Sequence, residues 1–238
     1  SLRGNTVIGT GLPAMGLRGD GIRLWETEDS EVLDNTVRDS RDVVVWYSSR
    51  NHLARNTVLR SRYGTHFMYS HDNVLEDSTY VEDEVGVFAM YSHDLVIRRN
   101  LIAKSGGSAG IGVGIKESGN LTVESNWFLA NTTGLYIDTA PLDPAHHNRY
   151  LHNVVRFSEV HIRDARTNVG CAGEIASEMK TLRERGFKPP KQPVATKLSQ
   201  TAQRWQKWWL GLDEATREAL STALGFAGDP GSKQLEAF

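Results

Sequence analysis

Cysteine is nearly missing from this chain: Cys171 is the single one among 238 residues. That excludes an intrachain disulfide framework and a CxxC metal site, and it leaves the cellular compartment open. No apolar run is long enough to cross a bilayer. Neither sign of charge dominates. Lys and Arg number 27 against 29 Asp and Glu, a formal net charge of −2, so the basic footprint of a nucleic-acid binder is absent. A glycine-rich phosphate loop and a Ser/His/Asp constellation are missing too. Helical spacing of apolar residues is missing from the first two thirds of the chain.

What is there is repetition. Met68-Tyr69-Ser70-His71-Asp72 recurs letter for letter as Met90-Tyr91-Ser92-His93-Asp94. The register extends to Gly21–Trp25, Asp42–Trp46, Gly64–Met68, Gly86–Met90, Gly112–Lys116 and Gly134–Asp138, whose starts lie 21, 22, 22, 26 and 22 residues apart. A second landmark is a polar column, Asn5, Asn35, Asn56, Ser78, Asn100, Asn126 and Asn153, with apolar residues three before and two after. A short period rich in β-branched residues, glycine and asparagine predicts a solenoid of strands. The expected fold is all-β: a right-handed parallel β-helix of coils of about 22 residues, each with three short strands. About seven coils would make a stack on the order of 34 Å long.

Alternation along a strand sorts the side chains. The inward pairs of one strand are Ile22/Leu24, Val43/Val45, Thr65/Phe67, Val87/Ala89, Val113/Ile115, Leu135/Ile137 and Val160/Ile162. The Asn column belongs at a bend, where amides hydrogen-bond from coil to coil. Charges flanking it alternate in sign, as Asp34, Arg55, Asp77, Arg99 and as Asp39, Arg60, Glu82, Lys104. Stacked, these become opposite-charge neighbours that control register, a plainer reading than catalytic carboxylates.

The outward set carries the candidate function. One column reads Trp25, Trp46, Met68, Met90, Lys116, Asp138, and its neighbour reads Arg23, Val44, His66, Phe88, Gly114, Tyr136. A contiguous outer patch of Trp25, Trp46, Met68, Phe88 and Met90 marks a partner-binding face, unless a loop or the tail covers it. The Gly9–Gly19 insertion is one such cover and would bring Met15 along. Tyr47, Tyr69 and Tyr91, with Ser48, Ser70 and Ser92, read most simply as turn columns. His71 and His93 would stack one coil apart and could share an ion. With His66, Met68 and Met90 they offer imidazole and thioether donors, a set that suits Cu(I) better than zinc, calcium or magnesium. Polysaccharide-cleaving β-helices need clustered carboxylates on an outer face, and here that face has Asp138 alone. A carbohydrate-binding or lyase-like protein is the alternative reading.

Composition shifts near residue 167. All eight histidines precede it, and lysines rise from two to six after it. Residues 1–167 are expected to form the β-helix and 168–238 a short α-helical tail, with a Pro/Lys linker at 186–193. Helices are expected over 172–185, 195–210 and 213–224. Trp205, Trp208, Trp209 and Leu212 make an apolar stripe at helical spacing, read as packing surface. Leu2, Asn5 and Val7 already occupy repeat columns, so earlier coils are expected upstream and the chain is read as a fragment.

The strings Gly19–Trp25, Tyr63–Ser70, Val85–Ser92 and Gly134–Asp138 resemble those of the NosD family over roughly residues 1–163. The resemblance implies a periplasmic right-handed β-helix protein needed to mature nitrous oxide reductase. It also implies partners: an ABC-type transporter with its membrane subunit, a copper chaperone lipoprotein, and the reductase whose copper–sulfur centre is assembled. Copper is the implied metal, and a non-enzymatic role the implied activity. Carried onto this sequence, the Met68/Met90 face is the expected surface for copper handling or docking.

Overall fold

The structure, a computed structural model, describes residues 1–165. Each short strand pairs in parallel with its equivalent one coil later, Leu2 with Val32, Val7 with Val37, Ile22 with Val43. Repeating this pairing gives three sheets of seven strands each, wound as a right-handed parallel β-solenoid. The first sheet includes His52–Ala54 and Val74–Glu76, and the second Thr57–Leu59 and Thr79–Val81. The third has the longest strands: Ile22–Trp25, Asp42–Trp46, Tyr63–Met68, Val85–Met90, Ile111–Lys116, Thr133–Asp138 and Val160–Asp164. The boundary expected at 167, the linker and the three helices fall outside the described residues.

The interior is one apolar stack. Val37, Val45, Phe67, Leu75, Tyr80, Ile97, Ile102, Val113, Ile115 and Phe128 are all fully buried and belong to one cluster. The expected inward pairs from Val43/Val45 to Leu135/Ile137 are buried. At the two ends Leu24 and Val160 are half-buried and Ile162 is exposed, because an end strand has a neighbour on one side only.

The corners follow a single device. Each coil turns through residues with positive φ, such as Tyr47, Arg50, Arg55 and Arg60 (φ 48°, 56°, 53° and 53°). Each is followed by a polar residue pointing inward: Ser48, Asn51, Asn56 and Ser61, all buried. That side chain accepts the backbone N–H of its equivalent in the preceding coil. Asn56 Oδ1 takes the amide of Asn35 at 3.0 Å, Ser70 Oγ that of Ser48 at 3.2 Å, and Asn73 Oδ1 that of Asn51 at 2.9 Å. The asparagine amides also donate onward, as from Asn100 Nδ2 to the Leu75 carbonyl and to Asn126 Oδ1. Bent backbone has no ladder of its own, so these ladders supply the partners that buried amides require.

The glycine column has a steric cause. A Cβ on Gly64, Gly86, Gly112 or Gly134 would lie 2.4, 2.8, 2.5 or 2.6 Å from a carbonyl oxygen of the next coil. The expected charge ladders form as discrete pairs, Asp34 with Arg55 at 2.6 Å and Asp77 with Arg99 at 2.7 Å.

Three insertions break the period: Gly9–Gly19, the loop near Ser105–Gly110, and residues 139–148. The first is pinned by buried Arg18, which donates to the Leu12 and Arg60 carbonyls, both at 2.6 Å. Met15 therefore does not cover the Trp/Met face as expected. It lines a shallow cavity with Glu82, Glu84 and Lys104, at the entry to the strand that Met90 ends.

Candidate functional site: the outer face of the third sheet

Parallel register puts Trp25, Trp46, Met68, Met90, Lys116 and Asp138 in one outward column. Met68 and Met90 are direct cross-strand partners, about 4.8 Å apart along the backbone ladder. Both are half-buried. Lys116 and Asp138 pair at 3.8 Å, so the one carboxylate in the column is matched. The second column, Arg23, Val44, His66, Phe88, Gly114 and Tyr136, is also in register.

That second column is more enclosed than alternation suggests. A bulge between Asp42 and Val44 lengthens the next strand by one residue and admits Tyr63. The Tyr63 ring lies 4.7 Å from the His66 ring and 5.8 Å from Phe88. The Arg62 guanidinium covers it at 4.7 Å and pairs with buried Asp42. His66 is left 8% exposed and Phe88 7%. Phe88 also lies over Gly114, where a Cβ would come within 2.2 Å of its ring. Phe88 is thus enclosed on the face between Tyr63 and Gly114, and the solvent-reachable part is Trp25, Trp46, Met68 and Met90. Tyr63 was not singled out from the sequence. The one-residue excess before Gly64 was the available signal.

His66 stands out chemically. Its Nε2 is buried with no hydrogen-bond partner, and burial pushes its pKa down to about 4. The imidazole is therefore neutral at neutral and mildly acidic pH, and a neutral imidazole carries one lone pair. It shares a strand and a face with Met68, two residues on. Trp46 Nε1 is a second buried polar atom without a partner on this face.

His71 and His93 do stack, with ring centroids 3.6 Å apart and planes 12° from parallel. The His93 backbone N–H donates to His71 Nδ1 at 3.2 Å, and His93 Nδ1 meets Asp94 Oδ2 at 2.6 Å. A metal lies in the plane of an imidazole that binds it. Two parallel planes 3.6 Å apart cannot direct lone pairs at one ion. In this arrangement the pair does not chelate, which leaves His66, Met68 and Met90 of the donors expected from the sequence. Among the described residues no group of three or more His, Cys, Asp or Glu side chains could hold an ion. Thioether and imidazole together make a donor set that suits Cu(I) better than a hard cation.

The tyrosine column is more than a turn. Tyr47, Tyr69 and Tyr91 stack at 5.3 and 4.8 Å with planes 7° and 10° apart. Trp46 continues the stack at 5.9 Å, and Trp25 meets Trp46 edge-on at 4.9 Å. Trp25, Tyr47 and Tyr69 are 47%, 48% and 38% exposed.

A parallel β-solenoid defines the class: a repeat scaffold, here with thioether, imidazole and aromatic side chains on the outer face of its third sheet where a carboxylate cluster is missing among the described residues. The family model of NosD, described as a periplasmic copper-binding protein, matches residues 1–168. The chain belongs to the NosD family, whose members are periplasmic copper-binding accessory proteins. A search of curated proteins found no match. No helix among the described residues is long and apolar enough to cross a membrane.

Proposed function

We propose that this chain handles Cu(I) on the outer face of its third sheet while the copper–sulfur centre of nitrous oxide reductase is assembled. Copper here is cargo, held by His66, Met68 and Met90 and passed on. The single observation that carries this reading is the buried His66 Nε2, which has no hydrogen-bond partner and stands beside the in-register Met68/Met90 pair. A buried polar nitrogen left unpaired is disfavoured unless something else occupies it. The donors are few and neutral, which suits binding weak enough to release. Handling of this kind needs a donor and an acceptor. The partners in this reading are a copper chaperone lipoprotein, an ABC-type transporter through its membrane subunit, and the reductase, all at the periplasmic side. In this reading the chain binds and passes on copper, a non-enzymatic role.

The test is complementation of a strain lacking the native gene with that gene carrying Met68→Leu and Met90→Leu at the equivalent positions. Leucine keeps volume and apolarity while removing the thioethers. The expected outcome is normally secreted reductase that lacks its copper–sulfur centre. Full maturation by this variant would remove the face from the account.

A further inference from the structure

We propose that the aromatic ridge Trp25–Tyr47–Tyr69–Tyr91, with the acidic margin beside it, is the docking surface for a folded protein partner whose contact patch is apolar at its centre and basic at its rim. The identity of that partner rests on the function proposed above. The location and chemistry of the surface rest on the geometry alone.

Four observations lead there. First, the tyrosines occupy backbone positions that disfavour them. Tyr47, Tyr69 and Tyr91 have φ of 48°, 47° and 49°, where a bulky side chain is an outlier. The same corner takes Glu26, Glu117 and Thr139 in other coils, so the turn does not require tyrosine. Three successive coils place an aromatic there, and the rings touch in sequence.

Second, the ridge is reachable and rigid. Trp25, Tyr47 and Tyr69 are among the largest exposed apolar side chains described. Stacked on a solenoid, they are already ordered before a partner arrives. Rigid Trp and Tyr side chains of this kind concentrate binding energy at protein interfaces.

Third, the margin has one sign. Glu28, Asp29, Asp72 and Asp94 stand along the corner that follows the ridge, against Arg50 alone, and Glu26 and Glu117 hold the ridge position itself in the flanking coils. Arg50 is already bound to Glu28 and Asp29. Six carboxylates to one guanidinium, on a chain whose formal net charge is only −2, is a local field that selects a basic rim and speeds encounter.

Fourth, the ridge is continuous with the copper donors. Tyr69 and Tyr91 directly follow Met68 and Met90 in the chain. A protein seated on the ridge covers the thioethers, which is where a donor or acceptor of Cu(I) must sit.

A glycan is the less suitable occupant. Sugars stack on ring faces, and here the tyrosine faces are turned on each other at 5.3 and 4.8 Å, leaving edges outward.

The experiment uses the whole chain and the purified copper chaperone as probe, with affinity measured at low and high salt and Cu(I) affinity measured separately against a competing chelator. Two variants are compared, Tyr69→Asn/Tyr91→Asn and Asp72→Asn/Asp94→Asn. Asparagine tolerates positive φ, so each corner keeps its backbone. Expected are at least a tenfold loss of chaperone affinity in the tyrosine variant and a loss in the aspartate variant that disappears at high salt. Cu(I) affinity should be unchanged in both. Unchanged docking by the tyrosine variant overturns the inference, as does docking of the wild-type chain that is indifferent to salt. A wild-type chain that binds Cu(I) but not the chaperone also overturns it and leaves the copper reading standing. Failure to bind either would bring down both.

Discussion

His93 donates its backbone N–H to Nδ1 of His71 at 3.2 Å while the two imidazoles lie face to face at 3.6 Å. The hydrogen bond fixes the proton of neutral His71 on Nε2. Partial burial, and then the charge of His93, hold the His71 pKa below its usual 6.5. A base whose folded pKa is depressed adds stability above its unfolded value, and that contribution is lost as pH falls through 6.5 and below. Nitrogen-15 NMR should show the Nε2–H tautomer for His71 and a titration below 6.5. His93→Ala should move that titration upward. A His71 that titrates normally in the wild-type chain would contradict the stacked geometry.

His66 makes a sharper pH prediction. With a pKa pushed down to about 4 by burial, it stays unprotonated through mildly acidic conditions. Its contribution to stability is present above pH 6.5 and is lost as pH falls from there toward 4. If it is a copper donor, Cu(I) affinity should hold nearly constant from pH 7 to pH 5, where an exposed imidazole would lose out to protons. His66→Phe should keep the fold and lower the affinity. A steep fall in affinity between pH 7 and pH 6 would point to an exposed imidazole as the donor instead.

Asp83 occupies a corner column that elsewhere holds serine or asparagine: Ser40, Ser61, Ser105 and Asn131. Its Oδ1 accepts the Ser61 amide at 2.7 Å, while Oδ2 is buried without a partner. Burial raises its pKa well above the ordinary carboxylate value. A raised acid is favourable to the fold below its unfolded pKa of 3.8, and that advantage is lost as pH rises toward the folded value. Asp83→Asn should therefore raise the urea midpoint at neutral pH and flatten its decline as pH rises. The equivalent Asn131 already shows that an amide fits, donating to the Ile102 carbonyl at 3.1 Å. Lower stability of Asp83→Asn at pH 8 would refute this.

The ladders should outweigh the surface pairs. Asn100→Ala leaves the Ser78 amide and the Leu75 carbonyl without their side-chain partner, and should cost about 2–4 kcal/mol. Asp34→Ala breaks the half-exposed pair with Arg55 and should cost less than about 1 kcal/mol. Denaturant unfolding of both variants checks the ranking, and a reversal would mean that the charge pairs hold the register.

The repeat made most of the fold legible. Met68/Met90 and the Asn35-to-Asn153 column set both period and register, and the paired residues match them. Less legible were the corners. Arg50, Arg55 and Arg60 look like ordinary surface residues, yet they sit at positive φ because the inward Asn51, Asn56 and Ser61 supply the hydrogen bonds that make the bend affordable. Periodicity carries no information on φ. The outward columns were readable from alternation, but their cover was not. Tyr63 enters through a bulge that shifts the count by one, and it encloses His66 and Phe88. The stacking of His71 on His93 was readable from the repeat. The orientation of their rings, which decides whether they can share an ion, depends on χ angles that spacing does not encode.

Cu(I) titration of the purified chain against a competing chelator, wild type beside Met68→Leu/Met90→Leu, tests the central claim most directly. Circular dichroism should verify that both are folded. Copper handling at the third-sheet face requires that the wild-type chain bind Cu(I) and that the double variant lose at least tenfold in affinity while keeping its β-sheet spectrum. Equal Cu(I) affinity in the two would place any copper site elsewhere and contradict the account.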